Sequence, residues 1–174
     1  MRFLYTGASD FLREQSDPEQ SIGGYVSKST IPNRINNLFS DISYLSQSNE
    51  SEECKGIVIE NNSQTPISEL FLGYSYDKNL YNIQIALVEL TKDGKMEKLG
   101  NSKELPYYAT FLEAFIDVNN SIDDSISIQN FEANSRYGIW IKRKIKQKLP
   151  IKCSELESIN SETVDFNFII RYNE

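Results

Sequence analysis

Ala133-Asn-Ser-Arg-Tyr-Gly-Ile-Trp-Ile-Lys-Arg-Lys-Ile-Lys-Gln-Lys148 carries the clearest structural signal in the chain. Tyr137, Ile139, Ile141 and Ile145 fall on one side of a period-two pattern, and Trp140, Lys142, Lys144 and Lys146 fall on the other. Successive side chains point to opposite faces only in a strand, so this is a strand with one apolar and one basic face. A single strand is not stable in water, and the apolar face therefore demands a second layer.

The flanking chain repeats the pattern. From Cys54 onward short strands alternate with turn residues: Lys55–Glu60, then Leu70–Tyr76 with Leu70, Leu72, Tyr74 and Tyr76 in phase, then Tyr81–Leu90 with Tyr81, Ile83, Ile85 and Leu87 in phase. Thr91-Lys-Asp-Gly94 is a tight turn, because Asp-Gly accepts the positive φ that hairpins need, and Lys95–Leu99 is expected to return beside the preceding strand. Phe111–Phe115 has helical spacing, but Pro106 and the β-forming Tyr, Thr and Phe residues favour an edge strand over Leu105–Phe111. Ile122–Phe131 adds another strand, and Thr163–Tyr172 closes the chain with Val164, Phe166, Phe168, Ile170 and Tyr172 in phase. About seven or eight such strands with no long helix predict an all-β fold, an antiparallel β-sandwich.

Residues 1–50 read differently, as an extended N-terminal arm with short helical turns, in front of a sandwich domain over 51–174. Ser9 and Asp10 suit a helix start, Asp17-Pro18 interrupts, and Ile31-Pro32 forces extended backbone. Leu38, Phe39, Ile42 and Leu45 give the arm apolar residues without enough of them to build a core. The arm must dock, either on its own domain or on a neighbouring subunit. Ser46–Glu53 is polar and acidic and reads as the loop between arm and domain.

Composition narrows the function classes. The chain has 174 residues and a net charge of −7, which disfavours nucleic-acid binding by the whole surface. It has no His, which removes Ser-His and Cys-His nucleophile pairs and the commonest general base. Cys54 and Cys153 form no Cys-x-x-Cys pair, and two buried free thiols are favoured over a disulfide between them. Asp123-Asp124 and Glu50, Glu52 and Glu53 do not complete a metal or acid–base site, since neighbouring residues on a strand face opposite ways. No cofactor, no metal and no enzymatic activity are expected. Met1–Gly7 has no apolar signal segment and no run approaches a membrane span, so no membrane partner is expected.

The matching segments Ser21-Ile-Gly-Gly-Tyr-Val-Ser27, Ile31-Pro-Asn33, Asn37-Leu-Phe-Ser-Asp-Ile42, Gly56-Ile-Val-Ile-Glu-Asn61 and Gly138-Ile-Trp-Ile-Lys-Arg143 carry a resemblance. In this order they resemble small tail, neck or connector proteins of tailed bacteriophages, which carry Gly-Gly-Tyr, Leu-Phe-x-Asp-Ile and Ile-Trp-Ile-x-Arg segments. The resemblance implies an Ig-like form of the β-sandwich and a virion component made and assembled in the bacterial host cytoplasm, present in many copies as a ring or collar. Its partners would be other copies of itself and the portal, neck or tail proteins. The candidate assembly interface is then Gly23, Gly24, Tyr25, Pro32, Asn33, Leu38, Phe39, Asp41 and Ile42. In that reading Gly23-Gly24 is a hinge where the arm leaves its domain, and Leu38, Phe39 and Ile42 plug a neighbour's groove; otherwise they are a bend and a plug for the chain's own core edge. The strip Trp140, Lys142, Lys144, Lys146 and Lys148 would face an acidic partner or, through phosphates alone, non-specific DNA in a channel; the plainer reading is a solvated strand face. A second reading is a phage-encoded binding module for glycan or host surface, using exposed aromatics such as Tyr107 and Tyr108.

Overall fold

The computed structural model describes residues 1–10, 14–32, 38–39, 52–75, 81–107, 111–119, 123–146 and 167–173, with backbone alone at 74–75 and 167–173. The strands are β1 (Arg2–Tyr5), β2 (Gly24–Tyr25), β3 (Glu52–Glu60), β4 (Ile67–Ser75), β5 (Tyr81–Val88), β6 (Lys95–Met96), β7 (Phe111–Asp117), β8 (Ile126–Phe131), β9 (Arg136–Ile145) and β10 (Asn167–Asn173). The one helical element among the described residues is a 3-10 turn at Pro18–Gln20, capped by the Asp17 carboxylate, which accepts from the Glu19 N–H.

A five-stranded sheet runs β1-β3-β9-β5-β7, a three-stranded sheet runs β10-β4-β8, and β2 pairs with β6. All of these pairings are antiparallel. The two larger sheets pack face to face, giving the expected all-β sandwich. Ile57, Ile59, Ile83, Ile85, Leu87, Ile139 and Ile141 of the five-stranded sheet meet Leu70, Leu72, Ile126, Ile128 and Phe131 of the other. Their period-two spacing is the reason: in each strand these residues share one face. Each such side chain contributes about 1.5–3 kcal/mol by leaving water.

The five-stranded sheet is also covered on its opposite face. Leu4, Val26, Cys54, Val58, Ala86, Val88, Met96, Leu99 and Trp140 form a second buried cluster there. Its cover comes from the N-terminal segment and the β6 region. β3, β5 and β9 are thus sandwiched between two apolar layers, which accounts for runs such as Ile-Ala-Leu-Val in β5.

The described residues of the N-terminal segment lie along the sheet of their own chain. β1 pairs with the outer edge of β3, with Arg2 opposite Glu60 and Tyr5 opposite Ile57. Ser27–Ile31 then runs along the outer edge of β1: Ser27 N–H donates to Tyr5 O at 2.8 Å and Ile31 N–H to Phe3 O at 2.9 Å. Ile22 makes a parallel bridge to Gly56, continuing the cover of β3 where β1 stops.

Three local expectations need correction. The turn at Thr91–Lys95 forms, with Gly94 at φ 71 and its N–H bonded to Thr91 O, yet β6 pairs with β2 instead of returning beside β5. That side of β5 is already taken by β7, whose strand lies at Phe111–Asp117, beyond the Leu105–Phe111 expected from sequence. Glu52 and Glu53 belong to β3, not to a loop, because they stand opposite Lys144 and Arg143 of β9. Cross-strand charge pairing extends the strand past its apolar residues.

Candidate functional site

The second face of β9 changes character along its length. Gly138 lies under Val88 and Met96, Trp140 is fully buried, and the lysines follow. Trp140 owes its burial to two glycines. A Cβ on Gly56, its register partner, would stand 2.8 Å from indole Cζ3, and one on Gly23 would stand 2.9 Å from Cη2. The backbone can lie on the indole only because neither residue has a side chain.

A buried hydroxyl clamp fixes the segment over the ring. Ser21 Oγ donates to Gly56 O at 2.7 Å, Thr6 Oγ1 donates to the same carbonyl, and Gly23 N–H donates to Thr6 Oγ1 at 3.0 Å. Thr6 and Ser21 are themselves buried, and the Thr6 N–H donates to Ser21 Oγ at 3.1 Å, so polar groups that would otherwise be costly are satisfied. Trp140 Nε1 has no hydrogen-bond partner among the described residues. Cys54 is a buried free thiol beside this cluster, and burial pushes its pKa up to about 12. Cys153 lies outside the described residues.

The basic strip expected from sequence is therefore corrected. Trp140 is core, not surface, because the N-terminal segment covers it. Lys142 Nζ sits 4.7 Å from the centre of the Phe115 ring, and Lys144 Nζ lies 3.8 Å from the Glu52 carboxylate. Only Lys146 of the described members is well exposed. Lys148 lies outside the described residues.

The arm residues are placed as follows. Leu38 and Phe39 are buried in the core between the two sheets, so they plug this chain's own core and not a neighbour's groove. Gly23 and Gly24 both have positive φ, 86° and 88°, and the chain on either side is hydrogen-bonded to β1 or β3. They form a bend pressed onto the domain, not a hinge leaving it. Tyr25 is half-buried under Lys95 Nζ, 4.1 Å from the ring centre, and Pro32 is exposed. Asn33, Asp41 and Ile42 lie outside the described residues.

Three ionic clusters were not singled out by sequence reasoning. Lys55 is buried, and its Nζ donates to the Glu19 carboxylate at 2.9 Å and to Pro18 O at 3.3 Å, which pins the 3-10 turn to β3. Arg143 is buried beside the Phe39 ring, 4.6 Å from its centre, and is paired with Glu53 at 2.6 Å. Glu60 stands between Arg2 and Arg136 on the flanking strands and accepts from both. Burial pushes the Glu60 carboxyl up, but the two arginines' hydrogen bonds and charges outweigh it and hold it below its ordinary value. A signal did exist for Lys55 and Arg143: each lies in phase with the apolar residues of its strand, so each had to be buried and paired.

Among the described residues no group of three or more His, Cys, Asp or Glu side chains could hold a metal ion. No helix there is long and apolar enough to cross a membrane. The chemistry on view is ionic and hydrogen-bonded packing of an irregular segment onto a sheet. No protein-family model, no curated protein and no solved structure matches the chain.

Proposed function

We propose that the chain is a structural component of a tailed-phage virion, present in several copies at the neck or tail. What supports the reading is where the resembling segments meet. Gly23 of the Gly-Gly-Tyr segment and Gly56 of Gly-Ile-Val-Ile-Glu both press on Trp140 of Ile-Trp-Ile-x-Arg. Phe39 of Leu-Phe-x-Asp-Ile packs on Arg143 of the same strand, and Ile31 joins that core. The segments thus meet on the two faces of one strand, β9, and that shared support is what the reading draws on. Because the described part of the N-terminal segment is committed to its own domain, contacts between copies would use other surfaces. Mass spectrometry of gradient-purified virions is the test. Multiple copies per particle are expected; absence from intact particles, with the protein present in the lysate, would overturn the proposal.

A second reading keeps a specific observation in its favour. Tyr107 is 68% exposed and Leu105 44% exposed in the connection before β7. An exposed aromatic beside an apolar residue is the surface a sugar ring stacks on. Glycan-array binding abolished by Tyr107→Ala would favour a binding module, and no binding across a broad array would remove it.

A further inference from the structure

Residues 6–27 leave β1 and come back beside it, and the described residues of this excursion are bound to one another. Ser27 N–H donates to Tyr5 O at 2.8 Å and Ala8 N–H to Tyr25 O at 3.3 Å, which closes its base. Ser27 Oγ accepts from Gln15 N–H and donates to Gln15 O, both at 2.7 Å, and Gln15 Nε2 donates to Thr6 O. Thr6 N–H donates to Ser21 Oγ at 3.1 Å, and Gly23 N–H donates to Thr6 Oγ1 at 3.0 Å. These bonds involve neither β3, β6 nor β9, so they survive if the excursion lifts as one piece.

A different set of bonds attaches it to the domain. Gly56 N–H donates to Ser21 O at 2.7 Å, Gly56 O accepts from the Ser21 and Thr6 hydroxyls, and Leu99 N–H donates to Ile22 O at 3.0 Å. Another attachment is ionic. Lys55 Nζ of β3 lies 2.9 Å from the Glu19 carboxylate and also reaches Pro18 O at 3.3 Å and Glu19 O at 3.4 Å. The pair is lopsided: the Lys55 side chain is 1% exposed and that of Glu19 is 52% exposed. The carboxylate and both carbonyls that meet this buried ammonium belong to the excursion. Lowering the excursion strips water from Lys55, a cost that the Glu19 charge offsets, and lifting it returns that water.

We propose that Lys55 and Glu19 form a charge latch that sets how often residues 6–27 lift from β3, baring the Trp140 ring and the Gly56 peptide group while the two packed sheets stay folded. The latch is asymmetric. Without Glu19 the ammonium still has to be buried and loses its counter-charge, so the lifted state gains. With an apolar side chain of similar length in place of Lys55, the burial cost goes together with the pair, and the lifted state gains nothing. The device belongs to the isolated chain and does not rest on the virion reading.

Native-state hydrogen exchange of the full chain, read by NMR as protection factors, tests this. The Gly56 and Leu99 amides report lifting, because their bonds run to Ser21 O and Ile22 O. The amides of β9, between β3 and β5, report the sandwich. In the wild type Gly56 and Leu99 should share one protection factor, about tenfold or more below that of β9. Glu19→Ala should lower it about tenfold further and leave β9 unchanged, as a buried charge loses a half-exposed partner. Lys55→Met should leave it the same or raise it, and adding Glu19→Ala to Lys55→Met should change it no further. Wild-type protection at Gly56 and Leu99 that differs between the two, or that equals that of β9, overturns the proposal. So does a Glu19→Ala variant that changes neither amide or lowers β9 equally, and so does a Lys55→Met variant that loses as much protection as Glu19→Ala. Circular dichroism identifies any variant that does not fold, and the wild-type comparison decides without it.

Discussion

Alanine at Gly23 and at Gly24 separates two costs that usually come together. The two glycines have nearly the same φ, 86° and 88°, so a Cβ at either site strains the backbone by about 1–2 kcal/mol. Their surroundings differ. Around Gly24 the nearest atom to a new Cβ is Lys98 Cδ at 3.5 Å, part of a flexible side chain. At Gly23 the Cβ would fall 1.7 Å from Glu97 O and 2.9 Å from Trp140 Cη2, with backbone on one side and a buried ring on the other. Relief requires lifting the N-terminal segment off the sheet or displacing the stretch after β6, a repacking cost of about a further 1–3 kcal/mol. Gly24→Ala should therefore cost about 1–2 kcal/mol and Gly23→Ala about 2–5 kcal/mol. For a chain of this size each kcal/mol lowers Tm by about 2–4 °C. Trp140 is the only tryptophan and lies directly under Gly23, so its emission during urea unfolding reports the same contact. Gly23→Ala should shift the native emission to longer wavelength, and Gly24→Ala should not. Equal costs for the two variants, to within about 0.5 kcal/mol, with unchanged emission in both, would refute the docking of the N-terminal segment onto β9.

Other outcomes follow from the same packing. Trp140→Ala should destabilise by about 3–5 kcal/mol in urea unfolding followed by circular dichroism; a change below about 0.5 kcal/mol would mean the indole is a surface group. Glu60 ionises more readily in the folded chain than in the unfolded one, whose value is 4.5. Its stabilisation is thus complete above that pH and is lost as pH falls through the lower folded value. Glu60→Gln should flatten the acid limb of a Tm-against-pH curve, and an unchanged limb would assign it to other carboxylates. Cys54, buried and raised to about 12, should resist a thiol reagent at neutral pH until the protein unfolds. In a Cys153→Ser background, stoichiometric labelling of the native protein within minutes would contradict that burial.

The expected strands were legible because period two is a local signal. Ile57 and Ile59, Ile83 and Ile85, and Ile139 and Ile141 each repeat at every second residue, and all of them lie between the two sheets. The turn at Asp93-Gly94 was legible because it too is local: a glycine after a short polar residue marks backbone that others avoid. The partner of β6 was not, since pairing depends on which neighbouring edge is vacant. Glu52 and Glu53 read as loop because polarity was taken for solvent exposure, when their partners stand on β9.

Local spacing fixes which residues of each strand share a face, and hence an all-β sandwich of antiparallel sheets. What covers those faces is set by long-range packing. Alternation places Trp140 and Lys142 on the same side of β9, but it carries no information about a second layer above them. That layer is the irregular segment of Thr6, Ser21–Tyr25 and Val26, far away in sequence and without a period of its own. It covers Trp140, so the indole is buried, while Lys142 beyond it lies over the Phe115 ring and Lys144 meets the Glu52 carboxylate. The deciding quantity is the free energy of hiding the indole and the apolar residues of the segment together, and that depends on how distant parts fit and not on any local spacing.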